Sequence, residues 1–332
     1  MNAIKDIELC GFGNGLVDIL MNVEESDLIS LNIPKGGMIL IDTGKRLEVL
    51  NYFKDKEMKY MSGGSAANSV IAFAELGGKA AYQTVLGKDD LGNYYANEFQ
   101  ELGIILNADQ VDSHPTGTCV IFVAPDSERT LYTHLSATSL FNVNNIHEDI
   151  IERSQWIYIE GYKFSEQSST EAIHKAVELC KKHNTKISVT FSDTFITEIF
   201  RDGLMKVVEN ADLIFCNETE ALNFAKTDSL QVAINYIDSL VPNYAITLGA
   251  KGSIIKWDGA TYEIPAYPTK AMDTTGAGDM FAGTFLYSII KGDSPEKAGN
   301  LASLCSSKIV AQMGPRAEFD LKDIYQEISQ KF

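Results

Sequence analysis

The residues best suited to chemistry lie in one short segment, Asp273-Thr274-Thr275-Gly276-Ala277-Gly278-Asp279, which directly precedes an apolar stretch of helical character. Gly276, Ala277 and Gly278 leave the backbone N–H groups uncovered where that helix would begin. A helix N-terminus carries unpaired donors and about half a positive charge, so it is suited to bind an anion. Asp279 in the same turn is placed to take a proton from a hydroxyl group that attacks a bound phosphoryl group. The segment therefore predicts phosphoryl transfer. The alternative is that Asp279 is an ordinary charge or cap at a helix start.

A second candidate site is the segment Asn217-Glu218-Thr219-Glu220, which follows a predicted strand at 211–216. Parallel sheets of the doubly wound kind bind ligands at the carboxyl ends of their strands. Asn217 and Glu220 are three residues apart, so they face the same way on an opening helical turn. Oxygen ligands suit Mg²⁺, which keeps several waters and takes few protein groups. The pair therefore predicts a magnesium site held through water, with a plain helix cap and an acidic first turn as the alternative.

Two glycine-rich segments suggest nucleotide binding with different strength. Thr247, Gly249 and Gly252 follow a predicted strand and would let a nucleotide approach the backbone, although a hairpin turn explains them equally well. The segment around Gly11 to Gly15 does not fit a dinucleotide fingerprint, because Leu16 stands where the third glycine is needed and a strand follows. Asn14 and Asp18 are expected to face a cavity at this turn, with a plain glycine turn between two strands as the alternative. No GxxxxGK[ST] sequence occurs, which excludes a P-loop.

Short β-branched runs alternate with helix-like segments along the chain. Predicted strands cover 7–12, 155–159, 186–191, 211–216 and 244–248, and predicted helices cover 64–76, 91–102, 169–183, 281–290 and 298–310. This alternation predicts an α/β fold, with a doubly wound, mostly parallel sheet and helices on both faces. Two strand-like inserts, at about 17–41 and 118–134, interrupt it and are expected to form a small β lid. We expect one domain over residues 1–332.

Composition excludes several function classes. The net charge of −17 argues against a nucleic-acid partner, which a basic surface would favour. No apolar run approaches the roughly 20 residues that cross a bilayer, so no membrane partner is expected. The five cysteines are odd in number and widely spaced, which disfavours a zinc ribbon or a disulfide framework. We therefore expect a cytoplasmic protein that acts on a small molecule.

Three motifs in order along the chain resemble those of the PfkB carbohydrate kinase family, which is also called ribokinase-like. They are the segment Ser62-Gly63-Gly64-Ser65-Ala66-Ala67-Asn68-Ser69, the Asn217 to Glu220 element and the segment from Asp273 to Asp279. The resemblance spans about residues 8–316. It implies a ribokinase-like fold, ATP as phosphate donor, Mg²⁺ and, in some members, K⁺.

The resemblance also implies roles for single residues. Asp279 resembles the general base, and Gly276, Ala277 and Gly278 resemble the anion hole of the family. The residues that resemble its sugar-hydroxyl contacts are Asp18, Gly63, Gly64 and Asn68, with Asn14 nearby. The residues that resemble its ATP contacts are Asn217, Thr247, Gly249, Gly252, Asn300 and Ser303. Asn217 and Glu220 resemble the magnesium-organising pair, and Asp273 and Thr275 stand where some members hold a monovalent cation.

Within the family the chain resembles the adenosine kinases, which implies transfer of the γ-phosphate to the 5′-hydroxyl of a nucleoside, adenosine being favoured. A nucleoside needs an apolar slot for its base, and we expect Cys119, Leu135 and Phe195 to line it. Tyr162, Phe164 and Phe195 are aromatic candidates to stack on the base, with packing in the core or the lid as the alternative for each. Ser65 stands where ribokinases usually carry lysine, which disfavours free ribose. The alternatives are a kinase for ribose, fructose or a related sugar, and a catalytically silent ligand-binding protein on the same fold. Monomer and homodimer both stay open.

Overall fold

The strands of this computed structural model, which describes residues 4–126 and 128–332, form two separate sheets. The strands are β1 (Ile7–Phe12), β2 (Leu16–Asn22), β3 (Met38–Leu40), β4 (Lys59–Gly63), β5 (Ala80–Gly87), β6 (Ile105–Val111), β7 (Gly117–Val123), β8 (Arg129–His134), β9 (Ser154–Glu160), β10 (Lys186–Thr190), β11 (Leu213–Asn217), β12 (Tyr244–Thr247), β13 (Ser253–Trp257) and β14 (Ala260–Ile264). The larger sheet has the order β14-β13-β12-β11-β10-β9-β1-β5-β6. Its pairings are parallel from β6 to β12 and antiparallel from β12 to β14.

Helices cover both faces of the larger sheet, as predicted. They are α1 (Glu25–Ser30), α2 (Thr43–Tyr52), α3 (Ser65–Glu75), α4 (Asp90–Glu101), α5 (Glu148–Arg153), α6 (Gln167–His183), α7 (Thr194–Ile199), α8 (Arg201–Val208), α9 (Glu218–Ala225), α10 (Leu230–Asp238), α11 (Ala277–Ile290), α12 (Pro295–Ile309) and α13 (Leu321–Ser329). Trp156 and Ile157 follow each other in β9 but belong to different hydrophobic cores, one on each face. This alternation is what strand geometry requires when both faces are buried.

The predicted elements are all present, and their ends differ from prediction for local reasons. The helix predicted from 281 begins four residues earlier, at Ala277, because Gly276 adopts the left-handed conformation that starts it. The helix predicted from 298 begins at Pro295, which fits the first helical position because proline lacks a backbone N–H. The predictions of an α/β fold and a mostly parallel sheet are confirmed.

The smaller sheet has the order β3-β8-β7-β2-β4 and contains the strands of both predicted inserts. It also contains β4, which the sequence analysis did not assign. Asp18, Cys119 and Thr133 are in register on neighbouring strands, so they share one face of this sheet. The opposite face packs Phe122 against Phe53, with ring centroids 5.7 Å apart. Ser127, in the second predicted insert, lies outside the described residues.

The parallel strands place their carboxyl ends along one edge of the larger sheet. Asn14 follows β1, Glu160 ends β9, Asn217 ends β11 and Thr247 ends β12. The chain moves from β1 toward β5 on one side, and from β9 toward β10 on the other. The crevice between β1 and β9 is therefore a topological switch point, where open α/β sheets bind ligands.

None of the helices in the described part of the chain combines the length and apolar character that crossing a bilayer demands.

Candidate functional site

Asp279 is held by two side chains of a neighbouring helix. Its carboxylate accepts a hydrogen bond from the Ser65 hydroxyl at 2.6 Å and another from the Asn68 amide at 3.1 Å. It makes no side-chain cap on its own helix, whose N-cap is Gly276. The Ala277 N–H donates to the Thr274 carbonyl at 3.3 Å, whereas the N–H groups of Gly278 and Asp279 have no such partner among the described residues and remain available to an anion. This arrangement does not support the alternative in which Asp279 merely caps its helix.

The contact between Asp279 and α3 depends on a close approach of two helices. Gly283, one turn after Asp279, faces the backbone of Ser69, and a Cβ at Gly283 would lie 2.2 Å from the Ser69 carbonyl oxygen. Any side chain at Gly283 would push α11 away from α3. The glycine thus sets the distance at which Ser65 and Asn68 can reach the carboxylate.

Asp279 opens into a cavity of about 330 Å³ between the two sheets, which we call the acceptor cavity. The predicted residues that line it are Asn14, Asp18, Gly64, Asn68, Cys119, Leu135, Phe195, Asn217, Glu220, Thr275, Gly276, Gly278 and Asp279. One wall is polar and comes from the carboxyl edge of the larger sheet and from α3. The structure thus brings together most of the residues that sequence analysis assigned to the acceptor side.

Asp18 projects into the acceptor cavity from β2 and is buried. Gly63 lies behind it, where a Cβ would come within 2.3 Å of the carboxylate, and Gly64 packs against the backbone carbonyl of Asn14. Burial raises the pKa of Asp18 to about 7, and the Arg316 guanidinium opposes that rise. Burial also raises the pKa of Asp279 to about 6, although the hydrogen bonds from Ser65 and Asn68 oppose this rise.

The opposite wall of the cavity is apolar. Cys119, Leu135 and Phe195 line it as predicted, together with four residues that sequence analysis missed, Met38, Leu40, Ile121 and Leu131. Tyr162 lines the cavity as well, and its ring lies 5.9 Å from that of Phe195. Phe164 does not line it, because this side chain is buried in the core under α6.

Asn217 and Glu220 form a reciprocal cap at the start of α9. Asn217 Oδ1 accepts the Glu220 N–H at 2.9 Å, and Glu220 Oε2 accepts the Asn217 N–H at 3.0 Å. Asn217 Nδ2 also donates to Glu220 Oε1 at 2.8 Å. The magnesium-site and helix-cap interpretations are therefore compatible, because the cap fixes the Glu220 carboxylate at the edge of the acceptor cavity. Burial raises the pKa of Glu220 to about 7.

The donor set at this edge fits Mg²⁺ through water rather than by direct ligation. Within residues 4–126 and 128–332 no three His, Cys, Asp or Glu side chains cluster closely enough to hold a metal ion. Mg²⁺ commonly takes one or two carboxylates and completes its shell with water and phosphate oxygens. Glu220 and Asn217 would then orient water around an ion carried by the nucleotide.

A second cavity, of about 500 Å³, lies on the other side of the α11 N-terminus, and we call it the nucleotide cavity. The predicted residues that line it are Thr247, Gly249, Gly252, Ser303, Ala277 and Gly278. Gly278 lines both cavities, so they meet beside Asp279. Asn300 does not line this cavity. It lies behind Tyr267, accepting its hydroxyl at 3.2 Å and donating to the Glu296 carbonyl at 2.9 Å.

Asp273 lies in neither cavity, and its surroundings do not fit a monovalent cation. Its Oδ2 is 2.8 Å from Nη1 of Arg129, and both side chains are buried. The same carboxylate accepts the backbone N–H of Thr275 at 3.0 Å and of Gly314 at 2.8 Å. The guanidinium of β8 thus already supplies the positive charge beside Asp273, and it ties the smaller sheet to the turn that carries Asp279.

Sequence reasoning missed several charged residues that organise the site, namely Glu160, Lys163, Arg129 and Arg316. Glu160 gave one signal, since a carboxylate ends an otherwise apolar predicted strand at the binding edge of the sheet. Arg316 donates to the Ser62 carbonyl, next to the glycines behind Asp18. The two arginines gave no signal, because their partners are far away in sequence.

Comparisons of the sequence and the fold with known proteins find one family model and several similar proteins. The sequence model described as pfkB family carbohydrate kinase matches residues 39–321. Adenosine kinase 2 of Arabidopsis thaliana is 27% identical over 329 residues, covering 92% of this chain and 94% of that protein. A probable sugar kinase protein from Rhizobium etli has a solved structure with a TM-score of 0.89 and 30% identity, covering 98% and 99% of the two chains. Adenosine kinase from Sinorhizobium meliloti superposes with a TM-score of 0.87 and 29% identity, covering 97% and 99%.

The raised pKa of Asp18 predicts a pH-dependent gain in stability when its charge is removed. Between its ordinary pKa of 3.8 and its folded value of about 7, the folded protein keeps a proton that the unfolded chain releases. The stability of the ligand-free protein therefore falls as pH rises through this window. Asp18→Asn should raise the free energy of unfolding at about pH 8 by up to about 4 kcal/mol, and the gain should shrink toward about pH 4. Denaturant unfolding at both pH values measures it, with exposed Asp228→Asn as control. An equal gain at both pH values would contradict this account.

The Arg129–Asp273 pair predicts independence from K⁺ and a strong effect on stability. Replacing K⁺ by tetramethylammonium should leave the rate of ATP turnover unchanged. Arg129→Met should lower the free energy of unfolding by about 3–5 kcal/mol, because it leaves a buried carboxylate without its cation. The double variant Arg129→Met/Asp273→Asn should recover most of that loss. A K⁺ requirement in the wild type, or no recovery in the double variant, would show that the pair does not replace a bound cation.

Proposed function

The chain belongs to the pfkB family of carbohydrate kinases and is a phosphotransferase that acts on a hydroxyl group, and we propose that it transfers the γ-phosphate of ATP to the 5′-hydroxyl of adenosine. The observation that carries this proposal is the junction of two cavities at the α11 N-terminus. Asp279 faces one of them, Gly278 lines both, and the N–H groups of Gly278 and Asp279 at the start of the helix have no partner among the described residues.

The proposed reaction needs a base, an anion site and exclusion of water. The Asp279 carboxylate accepts the proton of the attacking hydroxyl as the new O–P bond forms and the bond to the leaving ADP breaks. The α11 N-terminus stabilises the negative charge on the transferring group, since its donors are fixed in place beforehand. Mg²⁺, when bound with ATP, supplies further neutralisation of the phosphate charge, and Asn217 and Glu220 would orient its waters. The smaller sheet covers the acceptor side, which limits wasteful hydrolysis of ATP.

The shape of the acceptor cavity favours a nucleoside over a free sugar. Asp18 and Asn68 on the polar wall suit the vicinal hydroxyls of a ribose, since a carboxylate can accept from both at once. Ile121 and Leu131 on the apolar wall offer no partner for the hydroxyl groups of a sugar. A purine base has flat apolar faces that would bury this wall, and adenosine kinases are among the chain's relatives. The similarity to a probable sugar kinase keeps a sugar acceptor as the second candidate.

Removal of the base should abolish most of the turnover while leaving ATP binding intact. Asp279→Asn keeps the shape of the side chain, and its amide can accept from Asn68 and donate to the Ser65 hydroxyl, but it cannot take up a proton. We expect kcat to fall by about 10²–10⁴-fold, the usual contribution of general-base catalysis, with the KM for ATP little changed. Steady-state kinetics with ADP release as the readout measures both constants.

Asp18→Asn is the matched variant, because it removes another carboxylate from the same cavity. It should act mainly on the KM for the acceptor, raising it about tenfold through loss of a charged hydrogen bond. Near-normal turnover in Asp279→Asn would refute the catalytic assignment. A wild type without turnover on any acceptor would instead identify the catalytically silent alternative.

The identity of the acceptor is tested by ATP consumption with adenosine, inosine, guanosine, cytidine, ribose and fructose. Adenosine should give the highest kcat/KM. Phe195→Ala should lower that value about 10–200-fold, because it removes part of an apolar slot, and should leave any weak activity on ribose unchanged. Phe319→Ala, a partly buried phenylalanine outside both cavities, is the control. If ribose or fructose exceeds every nucleoside, the acceptor is a sugar.

A further inference from the structure

Lys163 is a buried lysine for which the reaction has no evident use. It lies in a short 3-10 turn (Gly161–Ser165) after β9 and is 1% exposed. Its Nζ lies 4.3 Å from the ring centroid of Phe141 and donates one hydrogen bond, to Asn14 Oδ1 at 3.2 Å. Burying an ammonium group is costly, so this position calls for an explanation.

Glu160 offsets the charge of Lys163 without pairing with it directly. Its Oε1 accepts the N–H of Asn14 at 2.7 Å, and its Oε2 accepts the N–H of Ala66 at 2.8 Å. The carboxylate therefore ties the loop after β1 to the first turn of α3, which are two walls of the acceptor cavity. Burial lowers the pKa of Lys163, and the negative charge of Glu160 opposes that effect.

The contacts of Asn14 determine which way its side-chain amide points. An ammonium group has donors only, so the Asn14 atom that it touches must be the oxygen. Thr138 Oγ1 is 3.2 Å from the same oxygen and donates to it, because a carbonyl oxygen can only accept; the same hydroxyl accepts the Gly15 N–H at 3.2 Å. Two donors on Oδ1 leave Nδ2 on the other side, where it has no hydrogen-bond partner among the described residues. Asn14 lines the acceptor cavity, so its NH₂ group is left for a ligand.

We propose that Lys163 is a positioning residue that fixes the Asn14 amide with its NH₂ group toward the acceptor cavity. The cavity then selects acceptors that carry a hydrogen-bond acceptor atom at that place. A flipped amide would turn its NH₂ group against the ammonium of Lys163, which repels it. The inference rests on the proposed function only in that this cavity binds the acceptor, whichever molecule that is.

The first test compares two replacements of Lys163. Lys163→Met keeps the length and packing of the side chain over Phe141 but removes the donor, so the KM for the acceptor should rise about tenfold. Lys163→Gln keeps a donor and should restore most of that loss. The KM for ATP should stay unchanged in both. Lys186→Met is the matched control, because Lys186 also lies over an aromatic ring, 5.0 Å from the centroid of Trp156, but is exposed and outside the cavity.

The second test is a double-mutant cycle, which shows whether Lys163 acts through Asn14. In an Asn14→Ala background there is no amide to orient, so Lys163→Met should change the acceptor KM less than twofold. The same tenfold rise in both backgrounds, or Gln performing no better than Met, would overturn the proposal. If Lys163→Met does not fold, Lys163→Leu, which also removes the donor to Oδ1, replaces it in the cycle.

The two proposals fail in distinguishable ways. The cycle is measured with the acceptor that the wild type phosphorylates fastest. A wild type that prefers a sugar would refute adenosine as the acceptor while leaving the cycle fully interpretable. Additive effects in the cycle would refute the role of Lys163 whichever acceptor is used.

Discussion

The acceptor cavity encloses four carboxylates, which belong to Asp18, Glu160, Glu220 and Asp279. Burial disfavours the ionised form of each, and each negative charge also raises the pKa of its neighbours. A site with this composition cannot be stable without nearby donors and cations. Much of the surrounding structure can be understood as the supply of those groups, because hydrogen-bond donors and positive charges reach the cavity from every element that borders it.

The donors are largely backbone and neutral side chains, while the cations stand behind the cavity. Glu160 accepts two backbone N–H groups, and Asp279 accepts the Ser65 hydroxyl and the Asn68 amide. Arg316 lowers the pKa of both Asp18 and Asp279, yet it does not line the cavity. Because Arg316 lies outside the cavity, it favours the ionised forms of Asp18 and Asp279 near neutral pH without forming a direct ion pair with either.

The difference between local and long-range contacts explains how much of the site could be predicted from the sequence. The turn from Gly276 to Asp279 was recognisable because its chemistry is local, since glycines, a helix start and an acid follow one another within a few residues. The same holds for the reciprocal cap of Asn217 and Glu220. Arg129 could not be assigned, because its partner is more than a hundred positions away and only the pairing of the two sheets brings them together. Asn300 was expected beside the nucleotide, but Tyr267 lies between it and the cavity. The sequence of a helix predicts the side on which a residue lies, but it does not predict which other residue lies between it and a cavity.

Different parts of the chain line the two cavities, so the specificity for the acceptor can change separately from the binding of the nucleotide. The acceptor is surrounded by the smaller sheet, the loop after β1 and α3, whereas the nucleotide cavity is lined by the segment around Gly249 and Gly252 and by α12. Gly278 lines both cavities, and in the proposed reaction the phosphoryl transfer there is carried by the α11 N-terminus and Asp279. Changes on the inner face of the smaller sheet can therefore alter which hydroxyl compound is accepted while the phosphoryl-transfer machinery stays intact. A family built on this plan can serve nucleosides and sugars alike, since function depends on the site rather than on the fold. In this chain the proposed preference for a nucleoside rests on the apolar wall around Ile121 and Leu131.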